Sequence, residues 1–197
     1  MMGTLAQLKE RIAFEVDRDD LADPIASAIS RAIEDYSFRR FWFNDSRGTA
    51  TASAEYVNVP SGLRQLDYLF VTVGGVKYWL TQRENAVIEE WNETASNGQP
   101  TDFAWVGGQF RLHPVPNQSY TLTALGIFDQ PALTDDTLSN AWTTEAEDLI
   151  CAATKKHLYR VLRDPEGQAL ATAEERDALK RLKAETTMRL STGIKAD

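Results

Sequence analysis

Residues 97–116 read NGQPTDFAWVGGQFRLHPVP. Aromatic and β-branched residues stand on both sides of Gly107-Gly108, and Pro114 and Pro116 close the stretch. A glycine pair between two such runs predicts a hairpin, because both turn positions can take positive φ, and the prolines stop the second strand. VTVGGVKYW, residues 71–79, repeats the arrangement around Gly74-Gly75. AEYVNVP, LDYLFVTV and SYTLTALGIF supply further strands, the last with Tyr120, Leu122 and Ala124 alternating with threonine or leucine. NAVIEEWNET, between the hairpins, fits a short helix. Residues 41–140 are therefore expected to form an antiparallel β module with its connecting loops.

On either side the period changes from two to three or four. Leu5, Leu8, Ile12 and Val16 share one face of a first helix, and Ile25, Ile29, Ile33 and Tyr36 share one face of a second. Asp23-Pro24 reads as the second helix's N-cap and first position. After the β module, Thr144 with Glu147 fits a capping box. Leu149, Ile150, Ala153, Leu158, Val161 and Leu162 give a third helix its buried face. Asp164-Pro165 ends that helix and caps a fourth, in which Ala169, Leu170, Ala173, Leu179 and Leu182 face inward. Neither end pair can cover its own apolar face. The expected fold is α+β, mainly α: a four-helix bundle of residues 1–40 and 141–191 carrying the inserted β module, with a polar tail at 192–197.

The composition narrows function by exclusion. A chain of 197 residues with 43% hydrophobic side chains can bury a proper core. One cysteine, Cys151, allows neither an internal disulfide nor a Cys-rich zinc site. The charged N-terminus reads as neither secretory signal nor membrane span, and the chain is expected to be soluble and intracellular where it is made. A net charge of −8 argues against a general nucleic-acid binder. Residues 1–142 hold 11 basic and 19 acidic side chains and residues 143–197 hold 10 of each, so the whole acidic excess lies in the first part.

No motif for chemistry survives inspection. His113 and His157, the only two histidines, lack ligand partners at metal spacing; His113 reads as a hairpin-closing residue and His157, within the third helix, as a helix-surface or boundary residue. Asp17, Asp19, Asp20 and Asp23 cluster like a calcium loop, but Ala22 and Ala28 stand where an EF-hand needs glycine and glutamate. No nucleophile elbow, phosphate-binding loop or H-E-x-x-H is present. Phe38, Phe41, Trp42 and Phe43 beside Arg39 and Arg40 read as core packing at the junction into the β module. Trp79, Trp91 and Trp105 fit a carbohydrate groove on the β module, but burial or a subunit contact is the more ordinary reading. No catalytic residue, metal ligand or cofactor site is assigned.

The order of the pieces is more specific than any one of them. RRFWFN closing the second helix, YVNVPSG, NGQPTDFAW running into PVP, FDQPALT, and the Asp164-Pro165 break occur in a sequence that resembles the head-to-tail connector, or adaptor, proteins of tailed bacteriophages, prophages and gene-transfer particles. The resemblance extends from Leu5 to Leu190 and rests on structural, not catalytic, motifs. It implies a virion neck protein, assembled in the host cytoplasm, that forms a ring, usually dodecameric, under the portal. Such a ring extends the DNA channel and docks stopper or tail proteins. Its partners would be the portal protein, stopper or tail proteins and further copies of itself, with DNA only as passing cargo and no membrane. By position alone, the portal contact would fall on Met188, Arg189, Leu190, Ile194 and Lys195. Asp17, Asp19 and Asp20 would be lumen-facing acids, since a negative wall repels sliding phosphates. The competing readings are another neck component, such as a stopper or tail-completion protein, and a monomeric carbohydrate- or peptide-binding module using the Trp-rich insertion.

Overall fold

A computed structural model describes residues 3–18, 20–94 and 97–192. The described residues form an α+β protein with six helices and two four-stranded sheets. They divide into a helical unit, Met1–Asn44 with Gln130–Asp197, and a β unit, Asp45–Asp129.

The helical unit opens with α1 (Leu5–Val16). Thr4 caps it: the Gln7 N–H donates to Thr4 Oγ1 at 3.3 Å and the Thr4 N–H donates to Gln7 Oε1 at 3.0 Å. Two more N-terminal donors, the N–H groups of Leu5 and Ala6, reach the carbonyls of Leu138 and Asp136 in the connection that follows the β unit. Leu5, Leu8 and Ile12 are buried as the spacing requires, and Asp17 ends the helix in the left-handed region. Helix α2 (Ala22–Ser37) departs from the sequence reading. Its cap is Leu21, which makes no side-chain cap bond, and Asp23 and Pro24 fall inside the first turn. Leu21 packs against the core, so burial sets the helix start, and Pro24 sits where a missing N–H is tolerated.

The β unit contains β1 (Asp45–Ala52), β2 (Tyr56–Asn58), β3 (Leu63–Val73), β4 (Val76–Trp79), β5 (Thr81–Gln82), α3 (Asn85–Glu93), β6 (Asp102–Val106), β7 (Gln109–His113) and β8 (Tyr120–Phe128). The sheets run β1-β8-β3-β4 and β2-β7-β6-β5. Both glycine pairs take positive φ and make the tight β3–β4 and β6–β7 turns. Leu69, Val71, Leu122 and Ala124 from one sheet share a core with Val57, Phe103, Phe110 and Leu112 from the other. The expectation of a purely antiparallel module needs one correction: β5 pairs with β6 in parallel. Between these two strands the chain passes through α3, the crossover that a parallel pair requires. Gly126 lies where β3 bulges past β8, and a Cβ there would sit only 1.9 Å from the Gln65 carbonyl oxygen.

After Asp129 the chain returns to the helices through α4 (Ala141–Thr144), α5 (Glu147–Leu162) and α6 (Pro165–Thr192). The capping box is Asn140 with Thr143, not Thr144 with Glu147. One turn of helix forms before α5, whose own cap, Ala146, is buried and has no side chain able to bond. Asp164 does cap α6, accepting from the N–H groups of Glu166 and Gly167 at 3.1 and 3.0 Å. Helix α5 packs against α1, α2, α4 and α6, and their apolar residues form one core. Val161 and Leu170 correct the predicted stripes: they are 75% and 64% exposed, their side chains left uncovered by the described residues.

Candidate interaction surfaces

Of the FRRFWFN segment, Phe41 and Phe43 join the helical core, whereas Phe38, expected there too, is 56% exposed. Phe41 is fully buried, stacks on Phe43 at 5.4 Å between ring centroids and meets Trp142 edge-on at 5.8 Å. Asn44 fixes the turn: the Phe41 N–H donates to its Oδ1, and its Nδ2 donates to the Arg39 carbonyl, each at 2.8 Å. Trp42 meets Phe43 edge-on at 5.7 Å and also reaches α6, where the Arg189 guanidinium lies 3.8 Å from its ring centroid. Arg189 also binds Glu185 one turn earlier, at 2.5 Å. Arg189 therefore fixes the end of α6 to the junction segment, while Met188 and Leu190 beside it are 64% and 40% exposed. Ile194 and Lys195 lie outside the described residues.

The acids of the α1–α2 turn are exposed but not equivalent. Asp20 accepts two bonds from the Arg18 guanidinium, at 2.6 and 2.7 Å, which hold its carboxyl below the ordinary range. Asp17 carries the left-handed cap of α1, and its backbone N–H donates to the Phe14 carbonyl. Asp19 lies outside the described residues.

Where reactive side chains occur, they are committed to structure. Cys151 is buried against Glu15, and burial, helped by that carboxylate, pushes its thiol up to about 12. Lys155 is likewise buried and ion-paired with both Glu15 and Glu174 at 2.6 Å. Arg11 binds Glu15, Glu147 and Asp148. His157, expected on the surface or boundary of its helix, is instead buried where α5 meets α2, with Nε2 3.0 Å from Asp35 Oδ2. Burial pulls the His157 imidazole below its usual value, against the opposing effect of Asp35. His113 ends β7 as expected; its Nδ1 lies 2.7 Å from Asn92 Oδ1 and its ring packs on Trp91. Beneath α3, buried Arg111 binds Glu55 and Glu89. Burial alone would raise the Glu55 carboxyl, but hydrogen bonds from Arg111 and Asn92 outweigh it and lower the value.

The tryptophans of the β unit do not form one platform. Trp105 pairs with Phe110 and packs on it, toward the core shared by the sheets. Trp91 sits on α3 against His113, three positions further along β7 and hence on the opposite face. Trp79 belongs to the other sheet and packs on Tyr68 and Phe70. Among the described residues no three His, Cys, Asp or Glu side chains are grouped to hold a metal, and no helix is long and apolar enough to cross a membrane.

The helical unit also carries a groove between α2 and the end of α5 that the sequence reading missed, about 250 Å³ in volume. Leu21, Pro24, Ala28, Leu158 and Val161 line it, with Arg31 and Arg160 among its polar residues. The exposure of Val161 is the signal that marks it, and periodicity had assigned that residue to the core.

The chain belongs to the SU10 adaptor protein family, whose family model matches residues 3–195. Membership implies a phage adaptor, a virion component that meets other head or tail proteins. No curated protein matches the chain.

Proposed function

We propose that this adaptor joins head to tail by forming a dodecameric ring under the portal, extending the DNA channel and docking the stopper or tail, without catalysis or cofactor. The match to the adaptor family over nearly the whole chain carries this reading. In it, the helices α1, α2, α5 and α6 act as a four-helix bundle and the β unit as its insertion. Met188 and Leu190 would meet the portal, with Ile194 and Lys195 continuing the contact. Arg189, held by Glu185 and Trp42, would position them. Asp17, Asp19 and Asp20 would face the lumen. Asp20 is already matched by Arg18, which leaves Asp17 as the stronger source of repulsion toward passing DNA.

Native mass spectrometry of the protein mixed with the portal protein encoded near it tests the reading. Saturation at one copy per portal subunit is expected, with affinity lost in Met188→Asp and Leu190→Asp variants. A protein that stays monomeric and ignores the portal would move it to another position in the neck.

A further inference from the structure

We infer that the groove between α2 and the end of α5 receives Phe14 from a second copy of this chain, so that copies join head to tail. This rests on the ring reading above and names the contact that would build it. Phe14 and Val161 are the two most exposed large apolar side chains among the described residues, at 85% and 75%. Phe14 is two residues past buried Ile12, roughly 200° around α1, and so points away from the core that α1 shares with α2 and α5. It therefore stands as an exposed apolar knob, while Val161 lines an apolar hole.

The charges around the two features are complementary. Glu10, one turn before Phe14, is exposed and has no ion-pair partner among the described residues. Arg31 and Arg160 in the groove are exposed and likewise unpaired among the described residues, and no carboxylate lines the groove. Asp35, one turn after Arg31 on α2, is held by His157. An aromatic knob beside an acid thus matches an apolar hole flanked by arginines, all three charges unpaired among the described residues. Because knob and hole are formed by different residues, each copy would give one contact and receive another, the heterologous arrangement that closes rings. One such contact is smaller than a stable pairwise interface needs, so closure or the portal would have to supply the rest.

Mixing a Phe14→Cys protein with a Val161→Cys protein under mild oxidation, with the portal present, tests the contact. Both positions are exposed, so folding is retained, and native Cys151 is 1% exposed and does not compete. A covalent dimer that forms in the mixture and in neither variant alone is expected. In parallel, Arg160→Glu should reduce oligomer formation at least tenfold, and Glu10→Arg in the same chain should restore it. Wild-type rings by native mass spectrometry, with no mixed crosslink and no effect of Arg160→Glu, would overturn this contact and leave the ring reading intact. Absence of any oligomer from the wild type, with or without portal, would overturn both.

Discussion

Replacing Phe41 by alanine tests whether the junction segment holds the helical core together. The ring is fully buried, packed on Phe43 and Trp142, and its backbone N–H is tied to Asn44. Deleting a buried phenylalanine ring costs about 3–5 kcal/mol, more where the walls cannot collapse. Here the walls are two aromatic rings and a hydrogen-bonded turn, which places the cost near 4 kcal/mol, or about a thousandfold in the unfolding equilibrium. Phe41→Leu keeps most of the volume and forfeits two aromatic pairs, each about 0.5–1.5 kcal/mol, so it should cost about 2 kcal/mol. Leu170→Ala, on an exposed side chain, should stay within about 0.5 kcal/mol of wild type. Urea unfolding followed by far-UV circular dichroism, which reports chiefly on helix, measures all three. Equal midpoints and slopes for Phe41→Ala and Leu170→Ala would refute the reasoning, because a ring that costs nothing to remove is not the hub of a core.

Three further outcomes follow from particular contacts. Gly126→Ala should destabilise the β unit by about 3 kcal/mol, since its Cβ meets backbone that cannot rotate aside; tryptophan fluorescence during denaturation would detect it. For Glu15, burial raises the carboxyl, but hydrogen bonds from Lys155 and Arg11 outweigh it, so the folded value lies below the ordinary 4.5. A carboxyl lowered on folding contributes stability that is complete above 4.5 and lost as pH falls through the folded value; acid melts should show this loss, and Glu15→Gln should flatten it. Cys151, with its thiol pushed up to about 12 and buried, should react with a thiol reagent at mildly alkaline pH only as fast as the chain opens, and rapid labelling of the native protein would contradict the burial.

The local elements were legible in the sequence because each rests on chemistry that acts over a few residues. Glycine pairs admit positive φ, so both hairpins could be placed at Gly74-Gly75 and Gly107-Gly108. Asp164-Pro165 breaks a helix wherever it stands, and apolar spacing of three and four picks out Leu5, Leu8 and Ile12. The failures are equally local in position but not in cause. Asp23 and Thr144 have the chemistry of caps, yet core packing at Leu21 and Ala146 moved both helix starts by a few residues. Val161 has the spacing of a core residue, and whether any element covers it depends on where other helices end.

The candidate surfaces divide in the same way. An acidic first part, the lack of a reactive motif and the order of the adaptor-like pieces were written in the chain itself. Tertiary structure alone decided that Trp91 and Trp105 occupy opposite faces, that Arg189 reaches back to Trp42, and that His157 is buried beside Asp35. It alone set the unpaired Arg31 and Arg160 around one groove. The physical reason is separation along the chain: periodicity and capping fix which side of an element a residue occupies, whereas contacts between residues more than a hundred positions apart arise only when burial of a shared core selects one packing of those elements.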